Sequence, residues 1–134
     1  MAVTDGHGLP IAVRIESASP HEITLLEDTL DDAFVAELPA TLIGDKAYDS
    51  DKHDARLLVE RGVRLVAPTI GRKHAKRKPE DGRRLRRYRR RWRVERLFAW
   101  LQNFRRIVTR WERYSTNFLG FVQLACAVIL LRRL

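Results

Sequence analysis

Tyr88-Arg89-Arg90-Arg91-Trp92-Arg93-Val94-Glu95-Arg96-Leu97-Phe98-Ala99-Trp100-Leu101-Gln102 places one acid, Glu95, in a field of arginines. On a helix each residue advances about 100°. Relative to Glu95, Gln102 and Tyr88 then fall about 20° away and Arg91 about 40° away. Four polar or polar-tipped side chains share one face. A second stripe, Val94, Leu97, Leu101, Phe104 and Val108, keeps three-or-four spacing and predicts the side that meets a core. The segment therefore reads as a long helix with an apolar side and an adjacent functional face. It starts near Arg83 or Arg84 and continues to Arg113.

The charge distribution points the same way. The net charge of the 134 residues is +9. Residues 72–93 hold 13 Lys or Arg against two acids, a local +11 that leaves −2 for the rest. A solvated face mixes its signs, whereas this segment concentrates one. Such clustering is the electrostatic footprint of a polyanion-binding surface, with nucleic acid the leading partner. Arg89, Arg90 and Arg93 lie in this segment as candidate nucleic-acid contacts, and Tyr88 and Arg91 are expected on the active face. Tyr88, Trp92, Trp100, Phe104 and Trp111 interleave with arginines, as in surfaces that stack bases and hold phosphates. At helical spacing about half of such aromatics belong to the core, and Leu97, Leu101 and Phe104 are expected inside.

The size fits one domain, and 45% hydrophobic residues can build its core. The single Cys126 excludes an internal disulfide framework and a cysteine-cluster zinc site, and its apolar neighbours predict a small buried hydrophobe. No basic-then-apolar leader opens the chain, which predicts a cytoplasmic protein. His7, His21, His53 and His74 show no zinc spacing and read as turn, cap or surface residues.

In chain order, residues 3–15 predict a hairpin. Asp5-Gly6-His7-Gly8 is turn chemistry, and Ile11, Val13 and Ile15 alternate with Ala12 and Arg14. Its first arm is short, as if Met1 began in mid-strand. Ser19, Pro20 and Glu22 form a capping-box start for a helix to about Glu37, with Leu25, Leu26, Leu30 and Phe34 on its apolar side. Thr41-Leu42-Ile43-Gly44-Asp45 reads as a buried strand ending in an acid, where sites form in open α/β sheets. A helix over about 51–60 with Ala55, Leu57, Leu58 and Val59 stops at Gly62. Val63-Arg64-Leu65-Val66-Ala67 is the next strand, followed by the polar linker. Residues 118–131, capped by Ser115 or Asn117, are about 14 nearly all apolar residues. They are too few for the roughly 18–20 a membrane span needs, so a buried helix and no membrane partner are expected. The domain plan is 1–67 (hairpin, helices and strands), 68–84 (basic linker) and 85–134 (C-terminal helices). Alternating strands and helices give an α/β layer fold with a mixed sheet.

Asp45 and Glu95 stand out as a pair of hard-oxygen metal ligands, suited to magnesium or manganese in phosphoryl transfer. The plainer alternative has Asp45 capping the next turn and Glu95 pairing with Arg91. Spacing alone leaves both open.

Tyr88, Arg91, Glu95 and position 102 fit Y-x2-R-x3-E-x6-K, and so the chain resembles insertion-sequence DDE transposases. Arg93 to Leu101, Phe104-Arg105-Arg106-Ile107, Gly44-Asp45-Lys46-Ala47-Tyr48-Asp49, Asp5 to Pro10 and Ser19 to Glu22 are similar to blocks of that family, in the same order. The resemblance implies an RNase H-like mixed sheet with flanking helices, two Mg2+ or Mn2+ ions, and cleavage and strand transfer of double-stranded DNA at transposon ends and target. It makes Asp45 the second catalytic acid and Glu95 the third, with Tyr88 and Arg91 at the DNA end. Gln102 stands where the pattern has Lys, which removes a charge contact. The first acid belongs on a strand before the hairpin, and that N-terminal strand is missing from these residues. The reading is thus the C-terminal part of a transposase catalytic domain, inactive alone. It would be nucleoid-associated, and a second copy or a full-length transposase is a candidate partner. The rival is a non-catalytic DNA-binding remnant or regulator. A generic RNA-binding protein would leave Asp45 and Glu95 unexplained.

Overall fold

The computed structural model describes residues 1–17, 19–68, 89 and 92–133. The chain divides into two compact units, one of residues 1–36 and 92–134, the other of residues 37–91.

The first unit begins with β1 (Ala2–Thr4) and β2 (Pro10–Val13), an antiparallel pair in which Ala2 faces Val13 and Val3 faces Ala12. Asp5 makes the turn: its Oδ1 accepts from the N–H of His7 at 2.7 Å and of Leu9 at 2.8 Å. Gly8 takes the positive φ, 85°, that this turn needs. The alternation expected along β2 is lost, because Pro10 to Val13 are all buried. The strand packs against the helix of residues 22–31 and against the C-terminal helix, so it has no solvent face.

Helix α1 (Glu22–Asp31) is shorter than the sequence predicts at both ends. His21, rather than Ser19, is its N-cap, through a long Nδ1 contact of 3.4 Å with the Ile23 N–H. The helix stops before Glu37 because the backbone of residues 33–34 is recruited to the hairpin. Ala33 bridges Ala12, and the Phe34 N–H donates to Ile11 O at 2.7 Å. Phe34 is exposed as a result, and the buried side is Ile23, Leu26, Thr29 and Leu30. Thr29 is tolerated there because its hydroxyl donates to Leu25 O at 2.7 Å. Arg14 ties β2 to this helix, with ion pairs to Asp32 at 2.8 Å and to Asp28 at 3.6 Å.

The expected long helix is interrupted. Helix α3 (Trp92–Leu101) ends in a turn, and α4 (Arg105–Val108) is a single turn beyond it. Leu97 and Leu101 are buried as predicted, and Phe104 packs at the edge of the core, but the break leaves Val108 61% exposed. Helix α5 (Ser115–Leu131) sends Val122, Ala125, Cys126 and Ile129 into a core completed by Val13, Leu97 and Leu101.

The second unit is a parallel β-α-β. Strands β3 (Thr41–Ile43) and β4 (Arg64–Val66) pair in register, Leu42 opposite Leu65, and α2 (Asp51–Arg61) connects them. Gly62 ends α2 in the left-handed conformation, φ 66°, and the Val63 N–H reaches back to Leu57 O. Of the expected apolar set on α2, only Leu57 is buried; Leu58 and Val59 are exposed. Asp54 accepts from the Leu65 N–H at 3.2 Å and so ties the helix to β4. The architecture is α/β with both pairing modes. Among the described residues they form two separate two-stranded sheets, not one mixed sheet. No described helix is long and apolar enough to cross a membrane.

Candidate active site and nucleic-acid interface

Asp45 stands where the sequence puts it, directly past the C-terminal end of β3. The Gly44 N–H still pairs with Val66 O at 3.0 Å, so the ladder holds the backbone up to the residue before the acid. A short 3₁₀ turn, Lys46–Tyr48, follows, and Asp45 caps it: Oδ1 accepts from the Ala47 N–H at 2.8 Å. The capping alternative raised by the sequence is therefore real. It uses one of the two carboxylate oxygens and orients the group. Tyr48 folds back over Gly44, so close that a Cβ there would lie 2.9 Å from the Tyr48 side chain. A side chain at that position would force the Tyr48 side chain or the strand end to shift.

Glu95 lies in the first turn of α3 and is exposed, while Leu97 on the same helix is completely buried. The predicted division of the helix into a core side and an open side thus holds at these positions. Asp45 belongs to the second unit and Glu95 to the first. Both are hard-oxygen donors of the type magnesium and manganese take. Among the described residues, no group of three or more His, Cys, Asp or Glu side chains is gathered as a metal site.

Of the candidate DNA contacts, Tyr88, Arg90 and Arg91 lie outside the described residues, as does the basic run of residues 72–87. Arg89 is exposed. Gln102 is exposed just beyond α3, and its N–H donates to Phe98 O at 3.0 Å, so it continues the last turn of the helix. Arg93 is half-buried against the hairpin turn. Its Nη1 lies 3.2 Å from the Cβ position of Gly6, and its carbonyl oxygen 3.0 Å from that of Gly8. Arg96 supports the same contact by donating to His7 O at 3.2 Å.

Arg96 also shows where the aromatic–arginine interleaving leads. Its guanidinium lies 4.5 Å from the Trp92 ring centre and 5.9 Å from that of Trp100. Arg133, from the far end of the chain, covers Trp100 at 4.2 Å. Arg106 and Arg110 lie over Phe121 and Phe118 in the same way. Much of the interleaving is thus internal cation–π contact. The four-residue spacing of Trp92, Arg96 and Trp100 signals part of this in the sequence. Nothing in the sequence signals Arg133.

The family profile described as the transposase DDE domain matches residues 1–130. A Burkholderia cepacia protein assigned as the transposase of insertion sequence element IS402 is 35% identical over 135 aligned residues, which cover 95% of this chain and 59% of that protein. A Brucella ovis protein assigned as the transposase of insertion sequence element IS6501 is 32% identical, covering 98% of this chain and 95% of that protein. The chain thus spans less than two thirds of the first relative and nearly all of the second. No solved structure gives a significant match. The chain belongs to the transposase DDE domain family.

Proposed function

We propose that residues 1–134 are the C-terminal part of an RNase H-like transposase catalytic domain acting in DNA transposition. The observation that carries the reading is the family match, which runs through both acids and the Y-x2-R-x3-E motif. Asp45 and Glu95 are the second and third carboxylates of the centre. Mg2+ or Mn2+, when bound, activates the attacking oxygen and stabilises the leaving oxygen of a phosphodiester. Tyr88, Arg89, Arg90, Arg91, Arg93 and Gln102 hold the transposon end, and the basic residues of the 68–84 linker neutralise its backbone. Arg93 does so as a positioned side chain, since its guanidinium Nη1 lies beside Gly6 of the hairpin turn. The partners are double-stranded DNA at transposon ends and target, in a cytoplasmic, nucleoid-associated setting.

These residues supply two of the three carboxylates the family chemistry uses. The chain alone is therefore expected neither to cut nor to join transposon-end DNA. Magnesium-dependent cleavage by the purified 134-residue chain, abolished by Glu95→Gln, would overturn that expectation.

A second reading, a non-catalytic DNA-binding remnant or regulator of full-length transposase, is favoured by the local +11 charge, which needs no metal to act. Co-expression with an active transposase of the same element separates the two. A regulator lowers transposition even as the Asp45→Asn, Glu95→Gln double variant, whereas a catalytic part contributes only with both acids intact.

A further inference from the structure

Residues 105–114, which lead from α4 into α5, hold four arginines and one acid, Glu112. The acid is used inside the segment. Its side chain is 8% exposed, Oε1 pairs with Arg106 Nη1 at 3.2 Å, and Oε2 accepts from the Trp111 N–H at 3.2 Å. A carboxylate buried to that degree needs such partners. Arg110 closes the same turn, donating from Nε to Glu112 O at 3.0 Å and from Nη2 to Arg113 O at 3.4 Å. Those acceptors are uncharged, so Arg110 keeps its positive charge. Arg105, Arg110 and Arg113 are exposed, and none of them is paired with a carboxylate among the described residues. Trp111 stands in this turn and is 75% exposed, more than any other described aromatic residue. Core packing does not account for a ring left so open. Trp92, Trp100, Phe118, Phe121 and Tyr114 each have a guanidinium over the ring, whereas Trp111 has none among the described residues.

We propose that Trp111 stacks an unpaired base of single-stranded DNA, while Arg110 and Arg113 hold the phosphates on either side of that base. The backbone at the indole is fixed by Glu112 and Arg110, so the ring is presented in a set place beside uncompensated cations. Such a surface fits a partner that is planar and anionic together, which is the chemistry of a nucleotide. Residues 37–91 carry a net +9 and so offer these arginines no counter-charge. An acidic protein surface would meet the charge but would leave the indole without a planar partner. Stacking needs a free base face, and in a duplex the neighbouring base pairs cover those faces. The contact is thus distinct from the basic segment of residues 72–93, whose charge acts on duplex and single strands alike. It rests on the reading of the chain as DNA-binding and adds a contact that senses whether the strand is paired.

Fluorescence anisotropy of the purified 134-residue chain, with a labelled oligothymidylate and with a labelled duplex at the same salt concentration, tests it. Trp111→Ala should weaken oligothymidylate binding by about tenfold and leave duplex binding within about twofold. Trp111→Phe should recover most of the loss, because it keeps a ring. The circular dichroism of both variants should match that of the parent, since Trp111 is largely exposed. Arg113→Ala should also weaken oligothymidylate binding and lower its salt slope by about one. Unchanged oligothymidylate binding by Trp111→Ala, an equal loss on the duplex, or failure of Trp111→Phe to recover would each overturn the stacking contact while leaving the DNA-binding reading in place. A parent chain that binds neither DNA would overturn both.

Discussion

The carbonyl oxygen of Arg93 lies 3.0 Å from the point where Gly8 would carry a Cβ. This contact joins the hairpin turn to the first turn of the helix that presents Glu95. It depends on glycine twice over, for the open space and for the positive φ of 85°. Gly8→Ala is therefore expected to destabilise the fold by about 1–3 kcal/mol, through left-handed strain and displacement of a backbone atom. Gly62→Ala is the control, since Gly62 also has positive φ but has nothing within 4 Å. It should cost less, and thermal melts of the two variants give the comparison. Equal losses would mean that the Arg93 contact contributes nothing.

Asp5 governs the same turn through two N–H groups bound to one oxygen. Asp5→Ala leaves the His7 and Leu9 donors without that acceptor and should cost about 1–2 kcal/mol. Asp5→Asn keeps a carbonyl oxygen and should recover most of the loss. Denaturant unfolding of the three proteins checks this, and an unstable Asn variant would show that charge, not acceptance, matters at the turn.

Binding to duplex DNA should fall steeply with salt. A contact set of about 6–10 phosphates predicts a loss of roughly 10³–10⁵ in affinity between 50 and 200 mM salt. Arg89→Ala, at an exposed position of the basic segment, should reduce the slope of log K against log salt by about one. A flat salt response removes the electrostatic reading of the segment.

If Asp45 and Glu95 serve one centre, their effects on metal binding must be coupled. Asp45→Asn and Glu95→Gln should each weaken Mn2+ binding measured by calorimetry or electron paramagnetic resonance. The double variant should lose less than the two single losses combined. Strict additivity would assign the two acids to separate sites.

Cys126 is completely buried, and burial pushes its thiol up to about 11 from the ordinary value of 9.0. The folded protein holds the proton more tightly than the unfolded chain does. The associated stability is present below about pH 9 and is lost as pH rises toward 11. A thiol reagent at pH 8 should react only after denaturant is added. Fast labelling of the native protein would contradict the packing of α5 on the core.

Local patterns were legible to the extent that local chemistry controls them. Asp5-Gly6-His7-Gly8 gave the turn, Gly62 the helix stop, and the run 41–45 a strand ending in an acid. Leu97 and Leu101 announced the buried side of α3 by their spacing. Errors arose where a distant element intervened. The end of α1 moved because residues 33–34 bond to the hairpin. The strand β2 lost its alternation because helices cover both of its sides. Arg93, read as a DNA contact from its charge, is also a brace against the turn.

The sequence by itself determined the family and the concentration of positive charge and singled out Asp45 and Glu95 as candidate acids, since composition and motif spacing are complete at that level. Tertiary structure decided which groups share a surface. It brought Arg133 onto Trp100, broke the long helix after Leu101, and drew residues 33–34 to the hairpin. Such outcomes depend on packing between segments far apart in the chain. The period of any one helix records which side is apolar, but it does not record what, if anything, will cover it.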